Sequence, residues 1–321
     1  MSADLPVIRL RPKSKPQAIR HGFPWVFADE AVVDRRTRAI PPGSFALLED
    51  AERRPMGVVT VNPNSKIIAR MMDPDPDAVI DRDWIAARLA RALALRERLF
   101  DAPFYRLIHA EADGLPGTVI DRFGDAAVIQ PNAAWAERMV PEIAEALRAV
   151  AGVSTVILNG QGRARGLEGL DERMEVLSGG VDGPVPVPMN GATYLADLLG
   201  GQKTGLFYDQ RPNHAFAQRL ARGARVLDVF SHVGGFGLAA LAWIVHPVAL
   251  MLASLLAPDS GRVLIGGIDP TKDSPAVRRA VGWMPDQFGA WDSLRVAEVL
   301  RDYGLQPREQ APVDSRAVHG H

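Results

Sequence analysis

The sequence predicts a multi-domain α/β chain with a small N-terminal β-barrel, a central α+β domain and the start of a Rossmann-like domain. Three observations predict it. Short apolar runs separated by Gly and Pro fill residues 7–72, and a helical pattern followed by strand-like runs fills residues 83–177. A β-branched strand, Val226–Phe230, then runs into the glycine turn Ser231–Gly237. Such a strand, turn and helix are how α/β proteins hold a nucleoside-bearing cofactor.

The first domain is assigned to residues 1–73. Strands so short, with turns so frequent, favour a small β-barrel. Residues 1–70 contain twelve Lys and Arg against seven Asp and Glu, a net charge of +5. A local positive field favours a polyanion such as nucleic acid, although a solvated surface without a partner explains the same charge. The polar, Pro-rich run 73–77 (DPDPD) marks the boundary.

The central domain is assigned to residues 78–185. A helix is predicted from Asp83, with Ile85, Leu89, Leu93 and Leu99–Phe100 on one apolar face and a cap at Asp81 or Asp83. Further strands are predicted at 105–110, 117–121, 126–130, 153–158 and 174–177, with a helix at 134–151. This alternation is typical of an α+β unit.

The third domain, residues 186–242, starts a cofactor site that the sequence leaves unfinished. A fold of this type uses a carboxylate about 20 residues after its glycine turn to hold the ribose hydroxyls. No acidic residue occurs from Val229 to Pro258. A phosphate-binding loop at residues 200–205 is rejected, because Gln202 stands where a glycine must precede the lysine.

Composition excludes several classes of site. The chain has no cysteine, which removes disulfides, thiolate metal sites and thiol nucleophiles and fits a reducing compartment. No metal site is predicted. The N-terminus lacks a basic-then-apolar leader, so a cytoplasmic protein is expected. The uncharged run Phe236–Ala257 is long enough to cross a bilayer, but His246–Pro247 interrupts it, and a membrane span is the less favoured alternative.

Three pairs of sequence blocks resemble the PUA-containing, S-adenosylmethionine (SAM)-dependent ribosomal RNA methyltransferases over residues 7–242. The PUA domain is resembled by 20–27 (RHGFPWVF) with 62–70 (NPNSKIIAR), and the middle domain by 109–117 (HAEADGLPG) with 121–125 (DRFGD). The cofactor domain is resembled by 200–211 (GGQKTGLFYDQR) with 226–237. The resemblance implies C5 methylation of a cytosine in large-subunit ribosomal RNA, with SAM as cofactor and ribosomal RNA as partner.

The resemblance also implies site residues. Those that would line the cofactor's amino-acid moiety and adenosine are Asp228, Phe230, Gly234 and Gly235, with Gln210 and Arg211 beside its methionine end. The candidate RNA-binding residues are Arg20, Trp25, Lys66 and Arg70. Trp25 and Phe27 either stack a base or fill the barrel core, and the core is the favoured alternative.

The sequence departs from the family pattern in its catalytic parts. The family completes its site with a second-strand acid, an Asp-Pro-Pro-type loop and a cysteine that attacks C6 of cytosine. None of these is found in the sequence. No catalytic residue is therefore assigned, and the chain is predicted to be catalytically incomplete. An RNA-binding module without catalysis is the alternative.

Residues 243–305 resemble part of an ABC-transporter ATP-binding domain. The blocks that carry this resemblance are 255–261 (LLAPDSG), 277–286 (VRRAVGWMPD) and 291–300 (WDSLRVAEVL). Ile244–His246 stands where the phosphate-binding Gly-Lys-Ser/Thr belongs, which weakens the further alternative of an ATP-binding transporter subunit. The sequence is interpreted as a chimera joined near residue 243, with a disordered tail at 306–321.

Overall fold

A computed structural model describes residues 5–14, 16–200, 206–221 and 235–241. Residues 1–216 form one compact unit and residues 217–321 a second. Asp228, Phe230 and Gly234 lie outside the described residues, as do the ABC-like segment 243–305 and the tail 306–321. The predictions made for them therefore stay predictions.

The described elements follow the predicted order of barrel, central domain and third segment. The first set is β1 (Val7–Arg9), α1 (Pro16–Arg20), β2 (Trp25–Phe27), α2 (Arg35–Arg38), β3 (Ser44–Glu49), β4 (Pro55–Val61) and β5 (Ile67–Asp73). The central set is α3 (Arg82–Leu99), β6 (Phe104–His109), β7 (Thr118–Phe123), β8 (Ala126–Pro131), α4 (Ala134–Arg138), α5 (Val140–Ala151), β9 (Thr155–Gly160), α6 (Arg163–Leu167) and β10 (Arg173–Ser178). The third set is β11 (Val185–Met189), β12 (Ala192–Ala196), α7 (Arg211–Leu220) and α8 (Gly235–Leu241).

The N-terminal strands close into a small barrel, as the sequence predicts. Their order is β1-β3-β4-β5-β2, with β1 parallel to β3 and the other pairs antiparallel. Just beyond the two edge strands, Leu10 bridges to Ala31, and the Arg11 amide donates to the Glu30 carbonyl at 2.8 Å. This bridge joins the two edges, so the sheet leaves few unpaired backbone groups.

The central domain packs helices on a five-stranded sheet of order β10-β9-β8-β7-β6. Only β8 and β9 are parallel, and α4 and α5 provide the crossover that a parallel pair needs. One apolar cluster joins Leu89 of α3, Trp135 of α4 and Leu147 of α5 with the sheet. The Trp135 ring is fully buried, and its indole Nε1 donates to the Pro116 carbonyl at 2.7 Å. The core of the unit therefore sits between these helices and the sheet.

The helices confirm two details of the prediction and correct two others. Asp81 caps α3 by accepting from the Trp84 amide at 2.8 Å, and Ile85 is fully buried, as expected. Leu99 is 63% exposed, so its assignment to the buried face is wrong. The predicted helix 134–151 is broken at Met139, because Pro141 in the first turn of α5 has no amide hydrogen and favours a helix start there.

The third segment begins with a hairpin that is not among the predicted elements. Strands β11 and β12 pair antiparallel around Asn190 and Gly191, whose φ angles are 53° and 75°. Asn-Gly is the preferred pair for a type I′ turn, which needs positive φ at both positions. Within the described residues no helix is both long and apolar enough to cross a membrane. Most of the uncharged run 236–257 lies outside them.

Candidate functional site

Three aromatic rings form an outward surface on the barrel, here called the aromatic face: Phe23, Trp25 and Phe27. The Trp25 ring centroid lies 6.1 Å from that of Phe23 and 6.4 Å from that of Phe27, with the rings edge to face. Phe23 is 41% exposed and Phe27 is 37% exposed. The favoured interpretation of Phe27 as barrel core is therefore wrong. Strand side chains alternate between faces, and the intervening Val26 is the residue that enters the core.

The half-buried Trp25 is held in place by the central domain. Its Nε1 donates to Glu111 Oε1 at 2.8 Å, and Arg70 Nη1 donates to the same oxygen at 3.1 Å. Arg70 lies opposite Trp25 on the neighbouring strand, so both side chains reach Glu111 from one surface of the sheet. The aromatic face is therefore oriented by a carboxylate from the other domain.

A second carboxylate, Glu168, extends this contact into an interdomain cluster formed by Asn62, Ser65, Arg70, Glu111 and Glu168. Glu168 accepts from Asn62 Nδ2 at 2.9 Å, from Ser65 Oγ at 3.2 Å and from Arg70 Nη2 at 2.9 Å. The Glu168 side chain is only 4% exposed. The sequence block 62–70 thus supplies the barrel's half of the cluster. Neither glutamate was predicted, because each lies far along the chain from its partners.

The four candidate RNA-binding residues fall into two groups. Arg20 pairs with Asp50 at 2.6 Å, and Arg70 pairs with Glu111 and Glu168, so both charges are already matched by carboxylates. Lys66 is exposed, and no ion pair within the described part of the chain includes it. Trp25 presents its ring at the aromatic face. The RNA-binding role of all four stays a prediction, and Lys66 and Trp25 are the better placed.

The Asp50 carboxylate gives the barrel a predicted acid sensitivity. Burial alone would raise the pKa of Asp50, but hydrogen bonds from the Arg54 amide and from the Arg20 and Arg54 guanidinium groups outweigh it and lower that pKa to about 2. Because its pKa is lowered, the Asp50 carboxylate stabilises the fold fully at pH values above its ordinary pKa of 3.8. This contribution is lost as the pH falls toward 2, where the carboxylate becomes protonated in the folded state as well. Urea unfolding should show Asp50→Asn less stable than wild type at pH 7, with the gap narrowing at pH 3. A gap that stayed constant would contradict this titration.

The candidate cofactor residues Gln210 and Arg211 lie where the third segment docks on the central domain. Tyr208 donates its hydroxyl to the Arg122 carbonyl at 2.8 Å, and Arg211 Nη2 donates to the Phe104 carbonyl at 2.6 Å. Gln210 Oε1 accepts from Asn213 Nδ2 at 2.9 Å. Gly235 is the first residue of α8, in the second unit. A helix therefore begins where the glycine turn predicts one.

Comparison with known families supports the N-terminal assignment. A family model described as a PUA-like domain matches residues 8–74. This range contains all five barrel strands except the first residue of β1. The PUA-like prediction is therefore confirmed.

Solved structures show the same fold with little sequence identity. One, described as a SAM-dependent methyltransferase from Streptococcus mutans, matches with a TM-score of 0.61 and 18% identity, over 75% of this chain and 62% of that one. Another, described as a methyltransferase complexed with SAH, has a TM-score of 0.61 and 17% identity, over 75% of this chain and 60% of that one. At such identities the likeness establishes the fold alone.

Curated relatives extend the similarity over most of the chain. The ribosomal RNA large subunit methyltransferase I of Erwinia tasmaniensis is 33% identical over 266 residues, or 81% of this chain and 67% of the relative. A ribosomal RNA large subunit methyltransferase of Deinococcus radiodurans is 34% identical over 74% of this chain and 60% of its own length. These matches give no support to an ABC-like segment. The chain spans about three fifths to two thirds of the length of such relatives, and it belongs to the ribosomal RNA large subunit methyltransferase I family.

Proposed function

We propose that this chain binds ribosomal RNA through the aromatic face of its barrel and takes SAM in the domain that starts near residue 186. The observation that carries the RNA part is the exposed aromatic face itself. Two rings more than one-third exposed lie next to Trp25 on a domain with an excess of basic residues. Unstacked RNA bases bind such rings, each stacked base contributing about 1–3 kcal/mol.

Lys66 supports the same surface. Phe27 pairs with Ile67 on the neighbouring strand, and the Ala28 amide donates to the Lys66 carbonyl at 3.0 Å. The exposed Lys66 therefore directly precedes Ile67, the residue that lies opposite the exposed ring of Phe27. Phosphate contacts of this kind supply the salt-dependent part of RNA affinity. A base on Phe27 with a neighbouring phosphate on Lys66 is the arrangement that we propose.

The cofactor proposal rests on the family and on the start of α8 at Gly235. SAM would supply an electrophilic methyl group. The residues proposed to hold it are those named above from the sequence, with Asp228, Phe230 and Gly234 outside the described part of the chain. Gln210 enters the proposal as the last residue before α7, and Arg211 enters it as the first residue of that helix. Calorimetric titration of the full chain with SAM tests it directly.

We further propose that the chain by itself does not complete C5 methylation. In that reaction a thiolate adds to C6 of cytosine, which makes C5 nucleophilic toward the methyl group. The sequence contains no cysteine. Transfer of radiolabelled methyl groups from SAM to ribosomal RNA should therefore stay at background with the purified chain. Turnover with the chain alone would contradict this part of the proposal and leave the RNA-binding part standing.

The RNA-binding proposal predicts a selective loss of affinity. Phe27→Ala should weaken binding of large-subunit ribosomal RNA about tenfold, since one stacked base contributes about 1–3 kcal/mol. Lys66→Gln should flatten the salt dependence by roughly the slope of one phosphate contact. Fluorescence anisotropy across a salt series measures both effects. Phe216→Ala is the matched control, because that ring is also exposed, at 54%, but lies on α7. Equal losses of RNA affinity in Phe27→Ala and Phe216→Ala would contradict the assignment of RNA binding to the aromatic face.

A further inference from the structure

An open cleft of about 350 Å³ lies between the end of α3, strand β6 and the segment before α7. Its walls combine basic and aromatic side chains, and its rim includes the exposed Leu99 and Asp209. The remaining lining residues are Arg96, Phe100, Tyr105, Arg106, His109, Tyr208 and Arg211. Of these residues, the proposed cofactor site uses Arg211 alone.

Two of the three arginines are already neutralised. Arg96 binds both Asp113 carboxylate oxygens at 2.7 and 2.6 Å, and Arg106 binds both oxygens of Asp121 at 2.9 and 3.1 Å. Both are bidentate pairs, which fix the two guanidinium groups in position. Both side chains line the cleft, but their charges are neutralised by carboxylates of the protein itself.

Arg211 is different from the other two. Within the described residues its side chain makes no ion pair and one hydrogen bond, which Nη2 donates to the Phe104 carbonyl at 2.6 Å. Its Nε is buried and has no hydrogen-bond partner among the described residues. The guanidinium carbon lies 4.6 Å from the Phe100 ring centroid and 5.7 Å from that of Tyr208. In the part of the chain that the structure describes, Arg211 is therefore a partly buried cation held by two rings and one carbonyl, without a carboxylate partner.

Such a charge is costly to bury, and cation–π contacts offset only part of the cost. An anion entering the cleft would supply the missing counter-charge, and phosphate oxygens match the guanidinium fork well. The Phe100 and Tyr105 rings, stacked at 5.3 Å between centroids, give the same cleft apolar walls suited to a nucleoside. Asp209 is the acidic group at the rim and opposes an anion there.

We infer that this cleft binds a phosphate of the RNA strand, with Arg211 as its counter-charge. The inference rests on the proposed RNA binding and adds a second contact to it, on the central domain. The carboxylate of a SAM molecule has similar anion chemistry, so the experiment must separate the two sources.

Surface charge changes at the rim test the inference without disturbing Arg211. Leu99→Glu places a negative charge beside the cleft at a position that is 63% exposed. It should weaken binding of ribosomal RNA about fivefold at 0.1 M salt, the size expected for one added repulsion near a protein surface. Asp209→Asn removes a repulsion and should tighten binding about twofold by the same reasoning.

Two variants serve as matched controls. Leu95→Glu adds the same charge at another exposed position of α3, outside the cleft, and Leu95→Gln changes that side chain without adding charge. Both should stay within about twofold of wild type, since surface changes away from a site have small effects. Thermal unfolding of each variant shows whether the fold is retained, and anisotropy with labelled ribosomal RNA measures affinity.

Each outcome decides between the proposals. If wild type binds RNA but Leu99→Glu and Leu95→Glu behave alike, the cleft inference fails and RNA binding at the aromatic face stands. If the rim variants change SAM affinity in calorimetry and leave RNA affinity unchanged, the cleft takes the cofactor's carboxylate and the inference is wrong. If wild type shows no salt-dependent RNA binding, both the proposed function and the cleft inference fall.

Discussion

Replacing Gly43 with alanine is expected to lower the free energy of unfolding by about 4 kcal/mol, from overpacking combined with backbone strain. Gly43 has a φ of 80°, and a Cβ there would lie 2.6 Å from the carbonyl carbon of Ala134 and 2.7 Å from the Trp135 nitrogen. These are backbone atoms at the start of α4, which cannot rotate away as a side chain can. The turn of the barrel must therefore withdraw from the central domain.

Gly22→Ala is the matched control. Gly22 also has a positive φ, 98°, but a Cβ there meets nothing within 4 Å. Only backbone strain remains, about 1–2 kcal/mol. Urea unfolding of the two variants therefore measures the close approach of the barrel to α4 as a difference. Equal losses of stability would mean that the barrel does not pack this tightly on the central domain.

The central domain is the part of the fold that the sequence predicts best. Each strand predicted between residues 105 and 177 occurs with its ends within two residues of the prediction. The reason is that β7, β8 and β9 are largely buried and carry apolar runs, such as 126–129 (AAVI), bounded by turn residues. The edge strand β10 has no buried residue and is predicted from its short Met174–Leu177 run alone. Local pattern is sufficient where one face or both faces of an element are buried. It also identifies Asp81 as a candidate cap, because the cap contact spans only three residues.

The aromatic face and the hairpin show what local pattern leaves open. Phe27 was assigned to the core because aromatic residues in small barrels usually pack inside, yet the period of two in β2 directs Val26 inward. The hairpin was missed although Asn190–Gly191 is a strong turn signal. Pro186 and Pro188 argue against a strand. Among the described strands, however, β11 pairs only with β12, and an edge strand of this kind tolerates prolines.

The interdomain cluster lies beyond local pattern altogether. The contacts from Arg70 to Glu111 and to Glu168 join residues 41 and 98 positions apart. An acidic residue in a loop looks the same in sequence whether it is solvated or buried against an arginine. Only the fold decides that Glu168 is buried. In the sequence, the block 62–70 resembles the PUA domain and contains the RNA-binding candidates Lys66 and Arg70, and neither interpretation indicates a contact with the central domain.

Removing the charge of Glu168 should therefore lower the free energy of unfolding by much more than is usual for a residue in a loop. Glu168→Gln keeps the volume of the side chain, but it leaves Arg70 with one carboxylate and turns an acceptor of Asn62 or Ser65 into a donor. Breaking a buried ion pair in this way costs about 3 kcal/mol. Urea unfolding measures it. Glu175→Gln is the control, because its side chain is 52% exposed and its pair with Arg173 spans 3.5 Å.

A double-mutant cycle separates the ion pair from a general loss of packing. Arg70→Met removes the cation, so in the double variant with Glu168→Gln no unmatched charge remains at this contact. The double variant should then lose less stability than the sum of the losses in the two single variants, with a coupling energy of about 1–3 kcal/mol. Strict additivity would show that the two side chains do not act on each other. Because Arg70 also contacts Glu111, which orients Trp25, Arg70→Met should in addition weaken RNA binding at the aromatic face.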